Sequence, residues 1–333
     1  MMRNIKSYLT IICCMILALC LWGCTKSDQS DSSKENSSYT GQIGLMRYSI
    51  NSDFKEKRIS FEDDYTVSYV YNNFLLSIFC ESAKGETSVE TVLRQYTDID
   101  SSEKEDILDF KQGNIEIAGQ TAKEISCAIS DTENANDAPN YMSVAGFKKD
   151  NKIYVIYYSS LGKKSYSSSI EHYENLLDSL SIESQEAAIP EKNIGTYKNL
   201  KFTLKNWNYR SENKEGKVMY GTKDGLNIFF LPAKVENSSI DVNSVKSAIA
   251  ILYDSNPNSL GPVKIVKQQP VDTNVGKGNK VIVAIGDTNI PLTFITEEEI
   301  GFAIFMDVED NGVYKDLLSS LQVINKDSPN KEK

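Results

Sequence analysis

The chain has 333 residues, with 46 acidic against 36 basic side chains and a formal net charge of −10. Nucleic-acid affinity comes from Lys and Arg neutralising phosphates, so no nucleic-acid partner is expected of a chain this acidic. The same charge should repel the body as a whole from anionic lipid headgroups. At the N-terminus, Arg3 and Lys6 precede Leu9 to Leu21, which is almost wholly apolar. That run has the length of a secretory h-region and falls short of the roughly 20 residues that span a bilayer. Residues 1–23 therefore read as a signal peptide, and no later stretch is apolar enough to span.

The leader ends in Leu21-Trp22-Gly23-Cys24. This tetrapeptide resembles the lipobox of bacterial lipoproteins, although Trp22 stands where that pattern has a small residue. The resemblance implies cleavage between Gly23 and Cys24 and attachment of membrane lipid, such as palmitate, through Cys24. Two acyl chains give stable anchoring where one does not. The other reading is an uncleaved anchor; either way the body lies outside the cytoplasm, on the membrane. Losing Arg3 and Lys6 leaves a charge of about −12. Residues 24–42 are expected to be the lipidated cysteine and a flexible linker. From Thr25 to Ser38 the linker has no apolar residue, so it cannot repay the entropy of ordering. Its random-coil reach is roughly 25 Å. Lys well above Arg, with abundant Asn, Ile, Ser and Tyr, points to an AT-rich genome and a Gram-positive source.

Cys80 and Cys127 are the thiols left in the body. Strand alternation puts Cys80 with Leu76 and Ile78, and Cys127 with Ile125 and Ile129, so both should face a core. An exported compartment permits a disulfide between them; the other reading is two buried, inert thiols.

A first domain is expected over 43–185. Ile43 to Tyr48 opens it as a strand, and Thr66 to Tyr71 and Phe74 to Cys80 make a hairpin about Asn72-Asn73. Thr87 to Tyr96 reads as a helix with Thr87-Ser88-Val89-Glu90 as a capping box. Strands follow over Asn114 to Ile117, Ala122 to Ile129, Met142 to Lys148 and Lys152 to Ser159, the last two turning at Asp150-Asn151. A helix from Ser167 to Leu180 should align Ile170, Tyr173, Leu177 and Leu180 on one face.

A polar join from Glu183 to Lys192 leads to a second domain over 194–325, before a polar tail at 326–333. Leu200 to Leu204, Lys217 to Tyr220 and Leu226 to Leu231 are strands, with a turn at Asp224-Gly225. Val242 to Tyr253 is a helix presenting Val245, Ala248, Ile249 and Leu252. Strands at Val263 to Lys267, Lys280 to Ile285, Pro291 to Ile295 and Phe302 to Asp307 precede a helix from Val313 to Leu321. Tyr173 to Ile182 and Tyr314 to Val323 match at five of ten positions, 141 residues apart, and the order of elements before them repeats.

Each unit thus reads as strands, helix, antiparallel strands, helix. The fold class expected is α+β: two tandem α/β/α sandwich domains, each a mostly antiparallel sheet flanked by helices. The element order, the terminal Tyr-x-x-Leu-Leu-x-Ser-Leu helix and the strand Lys152-Ile-Tyr-Val-Ile-Tyr-Tyr158 resemble the PsbP/Mog1-like family. The resemblance covers most of 43–183 and, more loosely, 194–324. It implies a largely non-enzymatic role in binding and assembly, with no catalytic residues to carry over.

Candidate chemistry is sparse. His172 lies in a helix without a nucleophile or orienting partner in sequence, so a satisfied helical histidine is expected and no catalytic residue is assigned. Asp307-Val-Glu-Asp-Asn-Gly312 resembles the start of a calcium loop, but Leu318 stands where the bidentate Glu belongs. The reading preferred is a strand-to-helix loop capped by Asp310 or Asn311. One histidine and two strand thiols lack zinc-site spacing. Gly276-Lys-Gly278 precedes a strand, not a helix, and so reads as a hairpin or loop and no phosphate cradle. Glu62-Asp63-Asp64 and Glu297-Glu298-Glu299 read as solvated strand ends. Tyr154, Tyr157 and Tyr158, with Tyr65, Tyr69 and Tyr71, suit sheet packing or partner contact. No cofactor or metal is expected. The function expected is a membrane-anchored, non-enzymatic binding or scaffolding module on the outer face, partnered by another envelope protein or wall component. A small-ligand receptor is the alternative, and a wall hydrolase a third class without a motif.

Overall fold

The computed structural model describes residues 39–324, apart from 52, 62–64, 84–86, 101, 103–105, 131–137, 234–239, 298–299 and 307–311. Gly23, Cys24 and the signal peptide, the linker as far as Ser38 and the tail at 326–333 lie outside the described residues. So do Glu62-Asp63-Asp64, Glu298-Glu299 and Asp307 to Asn311. The chain forms two compact units. The first takes the chain up to Lys55, then Tyr69–Ile78 and Ser82–Ser184; the second takes Glu56–Ser68, Phe79–Glu81 and everything from Gln185 on.

In the first half the strands are β1 (Tyr39–Ile43), β2 (Met46–Ile50), β3 (Glu56–Ser60), β4 (Tyr65–Tyr71) and β5 (Phe74–Ser82). Then come helix α1 (Val89–Tyr96), β6 (Ile107–Ile117), β7 (Gln120–Ile129), β8 (Asn140–Lys149), β9 (Lys152–Leu161), helix α2 (Lys163–Ser179) and β10 (Ser181–Ile182). The expected opening strand is in fact a hairpin: β1 and β2 pair antiparallel about Gly44, whose φ of 55° is open to glycine at no steric cost. Asn72 turns β4 into β5 at φ 48°, and Asp150 and Asn151 turn β8 into β9 at φ 47° and 58°, the double left-handed geometry of a type I′ turn.

α1 is capped one residue later than expected: Ser88, not Thr87, accepts from the Thr91 backbone N–H at 3.1 Å. α2 starts at Lys163, four residues before the expected Ser167. Its buried stripe is Ser169, Tyr173 and Leu176, continued by Leu180, while Ile170 and Leu177 are only half-buried. The polar Ser169 sits inside because Tyr158 meets it there. α1 packs on β7, β8 and β9, and α2 on β8, β9 and β2.

The second half repeats the script as β11 (Ile194–Tyr197), β12 (Leu200–Thr203), β13 (Trp207–Asn213), β14 (Val218–Thr222) and β15 (Asn227–Pro232). Helix α3 (Val242–Leu252) follows, then β16 (Val263–Thr273), β17 (Gly276–Ile285), β18 (Thr288–Glu297), β19 (Ile300–Met306), helix α4 (Val313–Ser320) and β20 (Gln322–Val323). Val245, Ala248, Ile249 and Leu252 of α3 pack with Val281, Val283, Ile290, Leu292 and Phe294, so the expected apolar face is the observed one. Gly276-Lys-Gly278 opens β17, the second arm of its hairpin with β16, which is the hairpin reading. The N-cap of α4 is Gly312, at φ 82° and with no side-chain cap.

The expected fold class is not what forms. Fourteen strands are ordered in one antiparallel sheet, β16-β17-β18-β19-β15-β14-β13-β3-β4-β5-β9-β8-β7-β6, instead of two separate sandwiched sheets. Nor do helices alone supply the outer layers: three-stranded sheets β1-β2-β10 and β11-β12-β20 share that work. The physical reason is twofold. α4 has eight residues, of which Leu317 and Leu318 are buried, so it hides too little surface to cover a sheet face. And β3 within the second unit pairs with β13, Ser60 opposite Tyr209 through Glu56 opposite Asn213, which satisfies an edge that would otherwise stand open.

Candidate functional site

The first unit carries a polar seam between α2 and the sheet. Tyr173, fully buried on α2, donates to the Glu124 carboxylate of β7 at 3.2 Å. Tyr158 of β9 meets Ser169 at 2.5 Å, and Ser169 donates in turn to the Ser165 carbonyl at 2.6 Å. Tyr166 and Ser143 share a hydrogen bond of 2.6 Å. Burial raises the Glu124 carboxyl above its ordinary value, with Glu174 adding to the effect and Tyr173 opposing it. Burial likewise pushes the Tyr158 phenol up to about 12 and the Cys127 thiol up to about 11. Each group is driven toward its neutral form, the reverse of what activates a nucleophile.

The second unit carries a charged strand pair. Arg58 of β3 makes two hydrogen bonds of 3.1 Å to the Glu56 carboxylate. Burial opposes the Arg58 charge, but Tyr209 and Glu56 outweigh it and the guanidinium is held protonated. Arg210 of β13 donates to the Tyr220 hydroxyl at 3.1 Å and to Glu212 at 2.9 Å. Burial, and then Arg210, lower the Lys57 ammonium, while Glu212 supports it. The Tyr209 phenol is pushed up to about 12 by burial. Arg58 and Arg210 are thus each paired in place with a carboxylate, Glu56 and Glu212.

One open groove of about 360 Å³ lies beside α3, lined by Glu215, Ser247, Ala250, Ile251, Asp254, Ser255 and Pro257. Lys217 bridges to Asp254 at 2.5 Å on its rim. The bulged strands β6 and β16 each hold out an apolar side chain, Phe110 at 45% and Val266 at 55% exposure.

The sequence candidates fall as follows. His172 stacks on Phe74 with ring centroids 5.2 Å apart and packs edge-on to Phe54 at 5.5 Å, an aromatic packing role. Cys80 and Cys127 are both free thiols; Cys127 is buried and Cys80 only partly so. Tyr69, Tyr154, Tyr157 and Tyr158 are buried, which is the sheet-packing reading, while Tyr65 and Tyr71 are half-buried. Among the described residues no cluster of His, Cys, Asp and Glu could hold a metal ion. No described helix is long and apolar enough to cross a membrane. The charged strand pair and the seam escaped sequence reasoning; the alternation Glu56-Lys57-Arg58 against Arg210-Ser211-Glu212 was the signal available.

No family model and no curated protein sequence matches the chain. Among solved structures it is similar to the cyanobacterial PsbP of Synechocystis sp. PCC 6803, at 7% identity and a TM-score of 0.33, over 47% of this chain and 98% of that one. It is also similar to the Ran-binding protein Mog1p of Saccharomyces cerevisiae, at 8% identity and a TM-score of 0.32, over 44% of this chain and 96% of that one. A third similarity is to the type VI secretion immunity protein TplEi of Pseudomonas aeruginosa, at 10% identity and a TM-score of 0.29, over 86% of this chain and 97% of that one.

Proposed function

We propose that the chain is a lipid-anchored protein of the outer membrane face, tethered through Cys24, whose duplicated PsbP/Mog1-like body binds or scaffolds another envelope protein or wall component without catalysis. The single observation that carries this reading is Leu21-Trp22-Gly23-Cys24 directly after a short apolar leader. Diacylation at Cys24 would hold the body stably at a bilayer. Burial shifts Glu124, Tyr158, Cys127 and Tyr209 toward their neutral forms, so none of them is made a readier nucleophile.

The test is labelling with radioactive palmitate in cells making the wild type or Cys24→Ala. Label in the wild type, none in the variant, and accumulation of the precursor under globomycin are the expected outcomes. Unlabelled wild type, or globomycin-insensitive maturation, removes the anchor from the reading. Pull-down from solubilised envelope, with Cys24→Ala as control, then identifies the partner.

The alternative reading, a small-ligand receptor, has the groove beside α3 in its favour, since its size lies within the range of ligand pockets. A large thermal stabilisation by one small molecule in a ligand screen would select it.

A further inference from the structure

We propose that one face of the β16–β17 hairpin, carrying Lys264, Lys267 and Lys280, docks against an anionic lipid bilayer. Residues directly opposite in an antiparallel pair share a face. Lys264 lies opposite Ala284, Lys267 opposite Ile282, and Lys280 opposite Gln269. Residues 280, 282 and 284 alternate, so all three lysines stand on the same side although a bulge at Val266 separates the first two. The hairpin's acid, Asp272, pairs with Lys277 on the other side.

The face continues without an acid. The β18 residues aligned with it are Asn289 and Pro291 beside Lys264 and Lys267, and then Thr293 and Ile295, which are buried and end the open part of the face. α4 packs over its far end, where the Asn274 side-chain amide donates to the Ser319 carbonyl and the Tyr314 hydroxyl donates to Thr293, the residue opposite Lys280. Among the described residues none of Lys264, Lys267 and Lys280 enters an ion pair. Val266, the extra residue of the bulge, adds a 55% exposed apolar side chain between two of them. Lysines around an apolar side chain suit the boundary between headgroups and acyl chains.

The first unit shows that the fold does not demand this patch. Counting from the hairpin turns, Leu108, Lys111 and Glu124 occupy the equivalent positions. Where Glu124 is tied down by Tyr173, the second unit has Lys280. The net charge of −10 does not forbid docking. At physiological salt the field of a charge dies within about 8 Å, so a surface meets the patch and not the whole molecule. The proposed anchoring supplies only the setting, by holding this face near headgroups; the attraction does not need the acyl chains.

The experiment therefore uses the mature chain from Cys24 on, made without its leader so that it carries no lipid. Co-sedimentation is measured with vesicles of phosphatidylcholine alone and with 30% phosphatidylglycerol. Binding to the anionic vesicles only, abolished by 0.5 M NaCl, is expected. Lys264→Glu/Lys267→Glu/Lys280→Glu should bind at least about 100-fold more weakly with an unchanged melting curve. Lys201→Glu/Lys205→Glu/Lys223→Glu makes the same change in net charge elsewhere and should bind as the wild type does. Absence of binding to anionic vesicles, equal binding to neutral ones, or equal loss in the control variant overturns the proposal. So does binding of soluble polyphosphate without binding of vesicles. None of these outcomes depends on whether Cys24 is acylated.

Discussion

Gly195 lies directly opposite Phe202 across β11 and β12, and a Cβ at Gly195 would stand 2.1 Å from the Phe202 ring. The ring therefore folds over the bare glycine backbone and completes the core from there, stacked on Phe230 at 4.5 Å. β1 and β2 repeat the device: Gly41 is opposite Tyr48, whose hydroxyl would be 2.3 Å from an added Cβ. The two halves thus carry the same cross-strand glycine–aromatic pair.

The pair makes a stability prediction. Gly195→Ala and Gly41→Ala must each push a buried ring out of its seat, and overpacking of this kind costs about 1–3 kcal/mol. Urea denaturation should show the loss for both. Gly113→Ala is the control, because a Cβ there meets nothing within 4 Å; an equal loss in that variant would remove the steric explanation.

The Glu124–Tyr173 bond predicts a pH dependence. The folded carboxyl has a raised pKa, so its contribution is full below the unfolded value and is lost as pH rises through the folded one. Glu124→Gln should remove that decline, leaving the variant relatively more stable at pH 8 than at pH 4, compared with wild type. Tyr173→Phe takes away the donor that holds the carboxylate and should steepen the decline. Parallel thermal melts across this range decide it; identical pH profiles for wild type and Glu124→Gln would refute it.

Cys127 should be the slower thiol. It is buried and its pKa is pushed up to about 11, so little thiolate exists at pH 8. Iodoacetamide at pH 8 should modify the partly exposed Cys80 first, and reach Cys127 only on adding urea. Peptide mapping by mass spectrometry reads the order directly.

How far the sequence reached follows from what each element depends on. α3 was legible because Val245, Ala248, Ile249 and Leu252 carry a helical period that no neighbour overrides. The hairpin at Asp150-Asn151 was legible because its turn chemistry is local. β3 and β13 were not, since Glu56-Lys57-Arg58 and Arg210-Ser211-Glu212 show no apolar alternation; their strand state comes from pairing with each other. That pairing turns two expected sandwiches into one sheet order, and nothing local to either segment announces it. Of the candidate surfaces, the lysines were visible but their common face was not, because the bulge at Val266 shifts the register by one residue. The proposed anchor is the opposite case, since Leu21-Trp22-Gly23-Cys24 is a short linear pattern whose reading makes no reference to any fold.

Tyr220 and Tyr197 set up the sharpest contrast. The Tyr220 hydroxyl accepts from the Thr196 N–H at 2.7 Å, donates to the Thr196 carbonyl at 2.8 Å and accepts from Arg210 at 3.1 Å. It thereby ties β11 to β14. Tyr220→Phe leaves that backbone pair and a mostly buried guanidinium short of partners, which should cost about 1–3 kcal/mol. Among the described residues the neighbouring Tyr197 hydroxyl is buried without a hydrogen-bond partner, while its ring stacks on Phe230 at 5.2 Å. Tyr197→Phe keeps the stack and discards a desolvated hydroxyl, so it should leave stability unchanged or raise it. Two single-atom deletions on rings that both meet Phe230 should thus part, Tyr220→Phe lowering the urea midpoint and Tyr197→Phe not lowering it, and equal losses would show that the two hydroxyls are satisfied alike.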